Sequence, residues 1–167
     1  EHDHLRSKGL WNNLLIVWKS SGNDATGHVH SLRIEGNLVF SQYHLDLDIQ
    51  KFFIYAAYSL WKRVGSDHFF ADSSGTFNFS DLTFVNNNQR IKLEGVISKN
   101  PKDQIVIDLD NFKLNQLNPI LKRNGVTLNG TLSGTTNVSD FYDKVIFSSA
   151  LAFNRLTANN TLIGTGE

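Results

Sequence analysis

A short tag recurs down this chain: an apolar residue, a polar residue, glycine, then apolar residues again. It reads Leu32-Arg33-Ile34-Glu35-Gly36-Asn37-Leu38, then Leu93-Glu94-Gly95-Val96-Ile97, then Leu128-Asn129-Gly130-Thr131-Leu132. A frayed copy, Leu162-Ile163-Gly164, closes the series. A strand pattern interrupted by glycine and then repeated means one β unit stacked on itself. Gly36 and Gly95 are 59 residues apart, and the strands Asp46-Leu47-Asp48 and Asp108-Leu109-Asp110 that follow them are 62 apart. Gly95, Gly130 and Gly164 are spaced 35 and 34, so the long unit divides into halves. Such units bury their faces only against neighbours, and the array grows along one axis. We expect residues 32–167 to form the repeated module, in units of about 32–90 and 91–167. Residues 1–31 are expected to supply the first strands of the same sheet.

The period of two runs through the whole sequence. Tyr43, Leu45, Leu47 and Ile49 alternate with His44, Asp46 and Asp48. Ile105, Ile107 and Leu109 alternate with Val106, Asp108 and Asp110. Val145, Phe147, Ser149, Leu151 and Phe153 fall on one face, with Ile146, Ser148, Ala150 and Ala152 on the other. Turn residues punctuate these runs at Ser21-Gly22-Asn23-Asp24, Ser73-Ser74-Gly75, Asn86-Asn87-Asn88 and Lys99-Asn100-Pro101-Lys102. Strands separated by such signals predict an all-β, antiparallel fold. For Ala56 to Arg63, the three-residue spacing of Tyr55, Tyr58 and Trp61 favours helix, but the surroundings favour strand, and strand is the expectation. Asn118 to Gly125 differs: a cap residue, then Pro, then basic residues, then Gly predict a helix of about two turns.

Several functions are excluded or weakened at once. The formal net charge is 0, so no long-range field gathers phosphate backbones, and nucleic acid is not an expected partner. There is no cysteine, hence no disulfide and no thiolate chemistry. The most apolar run, Leu10 to Trp18, is too short to span a bilayer as a helix, which takes about 20 residues. There is no methionine, and the pattern stops in mid-course at Gly166-Glu167, so a piece of a longer protein is expected.

Candidate chemistry is sparse. His28-Val29-His30 and His2-Asp3-His4 have the look of metal ligands, but no third ligand follows at fixed spacing, and no metal or cofactor is expected. The Asp46/Asp48 and Asp108/Asp110 pairs read as solvated faces opposite apolar ones rather than as catalytic or calcium-binding carboxylates. No nucleophile elbow, phosphate loop or dinucleotide fingerprint is present. Trp11, Trp18 and Trp61 suggest a sugar-stacking platform or, alternatively, core aromatics.

From Trp61 onward the order of features resembles a known family. Gly75-Thr76-Phe77-Asn78-Phe79 and Leu82-Thr83-Phe84 lead to Gln89-Arg90-Ile91-Lys92-Leu93-Glu94-Gly95. Then come Ile107-Asp108-Leu109-Asp110-Asn111-Phe112-Lys113-Leu114, Leu117-Asn118-Pro119-Ile120-Leu121, and Leu128-Asn129-Gly130-Thr131-Leu132-Ser133-Gly134. This series resembles the repeat region of TamB proteins, the AsmA-like translocation and assembly modules of Gram-negative envelopes, in the style found in Bacteroidetes. The resemblance covers about Leu32 to Gly164. It implies a non-enzymatic periplasmic protein, held in the inner membrane by a helix outside this stretch. It implies a curled sheet, or half-pipe, with an apolar interior. It also implies partners: phospholipid acyl chains, and an outer-membrane barrel assembly protein.

The residues expected to line such a groove are Leu45, Leu47, Ile49, Ile105, Ile107, Leu109, Val145, Phe147, Leu151 and Phe153. The same apolar face closed by a second sheet would instead give a β-sandwich, with carbohydrate binding or adhesion as the alternative function.

Overall fold

The computed structural model describes residues 9–21, 29–41, 44–56, 59–65 and 68–166. They form β1 (Gly9–Ser21), β2 (Val29–Ser41), β3 (His44–Ala56), β4 (Ser59–Val64), β5 (His68–Asp72) and β6 (Phe77–Asn86). The chain continues through β7 (Gln89–Ile97), β8 (Gln104–Lys113), β9 (Leu128–Ser139), β10 (Ile146–Ala158) and β11 (Thr161–Gly166). All eleven strands belong to one antiparallel sheet, and except for β4 and β5, which do not pair with each other, strands adjacent in sequence are paired. β4 and β5 share one position between β3 and β6, as two halves of a strand broken after Val64. The fold is therefore all-β, a single meander rather than two stacked sheets. The expected strand near Trp61 is β4.

Between β8 and β9 lies the helical segment. A 3-10 turn at Leu114–Leu117 runs into α1 (Asn118–Leu121) and a second 3-10 turn at Lys122–Asn124. The α-helical part is a single turn, shorter than its signals suggested. Asn118 is not its side-chain cap. Its amide instead clasps the backbone of Leu128, accepting from the Leu128 N–H at 2.8 Å and donating to the Leu128 carbonyl at 3.0 Å. Gly125 ends the segment in the left-handed region, φ 71°, as a terminating glycine should.

Alternate strand positions from β1 to β10 carry a β-bulge, and β11 has a slip of its own at Ile163. The ladder slips between Trp11 and Leu14 in β1, at Gln50 in β3, between Phe79 and Leu82 in β6, between Leu109 and Phe112 in β8, and between Asn154 and Thr157 in β10. Asp81, Asn111 and Arg155, within three of these bulges, have φ of 56°, 51° and 51°. Each bulge faces a glycine on an adjacent strand: Gly36, Gly36 again, Gly95, Gly134 and Gly130 in turn. A bulge bends its strand and deepens the twist, and a glycine opposite lets the bent backbone close in. Gly130 shows why no other residue serves. Its φ is +108°, and a Cβ there would run into the Arg155 and Asn154 carbonyl oxygens at the β10 bulge. Gly95, φ +126°, is hemmed in from its other side, by the Gln104 carbonyl oxygen of β8. The repeated glycine in the sequence is thus the partner of a bulge, and the pair curls the sheet.

The curl shows in side chains that meet over intervening strands. Phe52 of β3 and Phe84 of β6 meet edge to face, 5.0 Å between centroids. Trp61 of β4 stacks on Phe112 of β8 at 6.1 Å, although β6 and β7 lie between them. Backbones three positions apart in a flat sheet are separated by about 14 Å. These rings converge because their face is concave. The structure is also thin. Among the described residues no large side chain is less than 2% exposed.

Candidate functional site

Strand alternation and register gather the apolar residues on the concave face. Direct cross-strand partners share a face, so pairings can be followed across the sheet. One row runs Leu38, Leu47, Phe69, Phe79, Gly95, Ile105, Val138, Phe147. A second runs Phe84, Ile91, Leu109, Gly134, Leu151. Between them lie Leu82, Leu93 and Ile107, continued by Thr136 and Ser149. The result is an apolar surface that crosses β2 to β10 without a break. At about 4.8 Å per strand, the first row spans roughly 34 Å.

Of the ten residues expected to line a groove, nine fall on this face: Leu45, Leu47, Ile49, Ile105, Ile107, Leu109, Phe147, Leu151 and Phe153. Val145 lies just before β10, in the loop, and is exposed. Most are half-buried; Ile49 and Ile105 are buried, and Phe147 is 68% exposed. The face also includes residues that the sequence reading did not single out: Phe69, Phe79, Leu82, Phe84, Ile91 and Leu93. Their signal was a mid-strand pair of polar residues, as at Ser80-Asp81 and Asp110-Asn111, which marks a bulge and restores the phase of the alternation after it.

Polar groups are confined to a few places on the concave side. Among the described residues, Arg63 is the one Asp, Glu, Lys or Arg of a strand registered on this face, opposite Phe84. Its guanidinium donates to the Gln50 carbonyl, at the β3 bulge, at 3.3 Å. Near the helical segment a buried chain of amides ties one rim together. Trp61 Nε1 donates to Gln116 Oε1 at 3.1 Å, and Gln116 Nε2 donates to Gln89 Oε1 at 2.8 Å. Gln89, 2% exposed, also accepts from the Lys113 N–H at 2.9 Å. On the other rim the Tyr142 hydroxyl, in the β9–β10 loop, donates to the Gly75 carbonyl in the β5–β6 turn at 2.6 Å. That turn is held by Asp72, whose carboxylate accepts from the Ser74 hydroxyl and from the Ser74 and Thr76 backbone N–H groups. These bonds, the Ser74 hydroxyl first, hold the Asp72 carboxyl below its ordinary range.

The convex face is polar and charged. Glu35 bonds Lys51 and Arg33, and those bonds, Lys51 first, lower its carboxyl. Lys92 lies between Glu94 and Asp81, and its ammonium is raised, chiefly by Glu94. Asp108 accepts from the Thr135 hydroxyl, and Asp48 from the Asn37 amide at 3.4 Å. The paired aspartates therefore belong to this solvated surface. His2, His4 and His28 lie outside the described residues, and His30 sits opposite Ser20 in the ladder. Among the described residues no three His, Asp or Glu side chains converge as a metal site. Trp61, 6% exposed, is packed rather than presented, whereas Trp11 and Trp18 are registered opposite Leu38 and Leu32.

Such a surface can do one kind of chemistry well. It removes hydrocarbon from water without fixing it at a point, since apolar attraction is non-directional and scales with area. In comparisons with family models, curated proteins and solved structures, nothing matches this chain.

Proposed function

We propose that this chain is a non-enzymatic module of a Gram-negative cell envelope whose concave sheet shelters phospholipid acyl chains. One observation carries the reading: a continuous apolar face, β2 to β10, on a single curled layer with nothing stacked over it among the described residues. The ordered resemblance to TamB repeats supports the same reading. It suggests the periplasm, an inner-membrane anchor supplied from outside this stretch, and an outer-membrane barrel assembly protein as partner.

The energetics suit a conduit. Each buried methylene is worth about 0.8 kcal/mol. An acyl chain of about fifteen methylenes gains on the order of 12 kcal/mol if fully sheltered. The gain is spread along rows of similar Leu, Ile and Phe side chains, so a lipid can shift by one strand with little change in contact. The alternative, a carbohydrate-binding or adhesive β-sandwich, asks for an exposed row of aromatics, and Trp61 is buried.

Native mass spectrometry of delipidated protein mixed with phospholipid tests the proposal. One-to-one adducts, retained with both zwitterionic and anionic headgroups, are expected. A protein that carries no adduct under conditions where a known lipid carrier is loaded overturns the reading.

A further inference from the structure

The concave face is tied across its mouth at both rims, and the two ties differ in kind. The β5–β6 turn, the β7–β8 turn and the β9–β10 loop (residues 140–145) lie in that order on one rim of the meander. β6 and β9 are three ladder positions apart, about 14 Å in a flat sheet. Yet the Tyr142 hydroxyl reaches past the β7–β8 turn to the Gly75 carbonyl at 2.6 Å. A chord between two points of a curved sheet runs on its concave side, so the loop crosses one end of the groove. Burial agrees. Ile105 and Val138, the concave pair next to the loop, are 5% and 6% exposed. Ile107 and Thr136, the next concave pair along the same two strands, are half-buried.

The opposite rim is tied by the Trp61–Gln116–Gln89 chain, where Gln89 also accepts from the Lys113 N–H. Parting that tie leaves buried amides without partners, which is costly. The Tyr142 tie is one neutral hydrogen bond from an exposed side chain, and water takes up both partners when it parts. Among the described residues it is the loop's one side-chain hydrogen bond. Its anchor is stiff: the Gly75 N–H donates to the Asp72 carbonyl at 3.2 Å, and the Asp72 carboxylate accepts from Ser74 and Thr76. The β7–β8 turn is bonded within itself, Ser98 and Asn100 each to Asp103, rather than to the loop.

We infer that the β9–β10 loop is a strap over one end of the concave face, and that an acyl chain enters by parting Tyr142 from Gly75 while the other rim stays tied. The inference rests on the lipid-sheltering reading above and adds to it the point of entry.

Uptake of a fluorescent phospholipid by the delipidated full chain, from vesicles of phosphatidylcholine and phosphatidylglycerol, gives the loading rate. Tyr142→Phe is expected to load at least about threefold faster, the effect of losing one such bond. The chain has no cysteine, so the double variant S73C/Y142C can be joined across the strap by a short bismaleimide. Joined, it is expected to load at least tenfold slower than the same variant capped with single maleimides. If the parent chain takes up lipid but Tyr142→Phe loads no faster, or the joined variant loads as fast as the capped one, the strap is overturned and the lipid reading stands. A parent chain that takes up no lipid overturns both.

Discussion

Replacing Gly95 with alanine isolates what curls the sheet. The change adds one methyl group, yet it meets two separate penalties. At φ +126° a residue with a Cβ is strained, at a cost of about 1–3 kcal/mol. The Cβ also lands on the Gln104 carbonyl, so β7 and β8 must move apart, at about 1–3 kcal/mol more. The sum is about 2–6 kcal/mol, against a total stability of about 5–15 kcal/mol for a typical domain. Two other glycines separate the causes. Gly125 has φ +71° with open space around it, so alanine there carries only the backbone penalty, about 1–2 kcal/mol. Gly166 has neither a positive φ nor a neighbour within 4 Å, so alanine there stays within about 0.5 kcal/mol of the parent. Urea unfolding followed by tryptophan fluorescence gives all three values. The expected order is Gly95 worst, Gly125 intermediate, Gly166 neutral. If Gly95→Ala is no more damaging than Gly125→Ala, the close approach of β7 and β8 at Gln104 is not what demands glycine.

Other outcomes follow from the same structure. Gln89→Leu leaves the Lys113 N–H and the Gln116 amide without their buried acceptor, and a loss of about 1–3 kcal/mol is expected in the same unfolding assay. Tyr142→Phe removes the bond to Gly75, and faster amide exchange in the β5–β6 turn and the β9–β10 loop is expected at a stability cost of about 0.5–1.5 kcal/mol. Glu35 and Asp72 have lowered carboxyl values in the folded chain. The unfolded chain therefore takes up their protons first, and stability falls as pH drops through the carboxylate range. Asp72→Asn is expected to flatten that fall in a series of thermal melts. Lys92 is raised, so its contribution is present at neutral pH and is lost as pH rises through its folded value.

Much of this was legible in the alternation, because period two depends only on which residues are apolar. That is why Leu45, Leu47 and Ile49 could be placed with Ile105, Ile107 and Leu109 on one face before any pairing was known. Gly95 was legible as a bending point, but its cause was not. The bulge it faces, at Ser80-Asp81, is on another strand, and only the register joins them. The helix near Asn118 was read from end signals that are local. Tertiary packing overrode them: the Asn118 amide bonds the start of β9 instead of the helix N-terminus. The Trp61–Gln116–Gln89 chain links three elements distant in sequence, and no spacing announces such a contact.

The central claim is that the concave face is open and holds hydrocarbon. Single cysteines at neighbouring positions test it directly: Leu47, Leu93 and Leu151 on the concave face, Asp46, Lys92 and Ala150 on the convex one. In delipidated protein all six are expected to react with a maleimide. Added phospholipid is expected to slow the three concave positions at least tenfold and leave the convex three unchanged. Concave cysteines that are inert without lipid would mean that the face is already covered, and equal rates with and without lipid would mean that nothing enters it; either result contradicts the account.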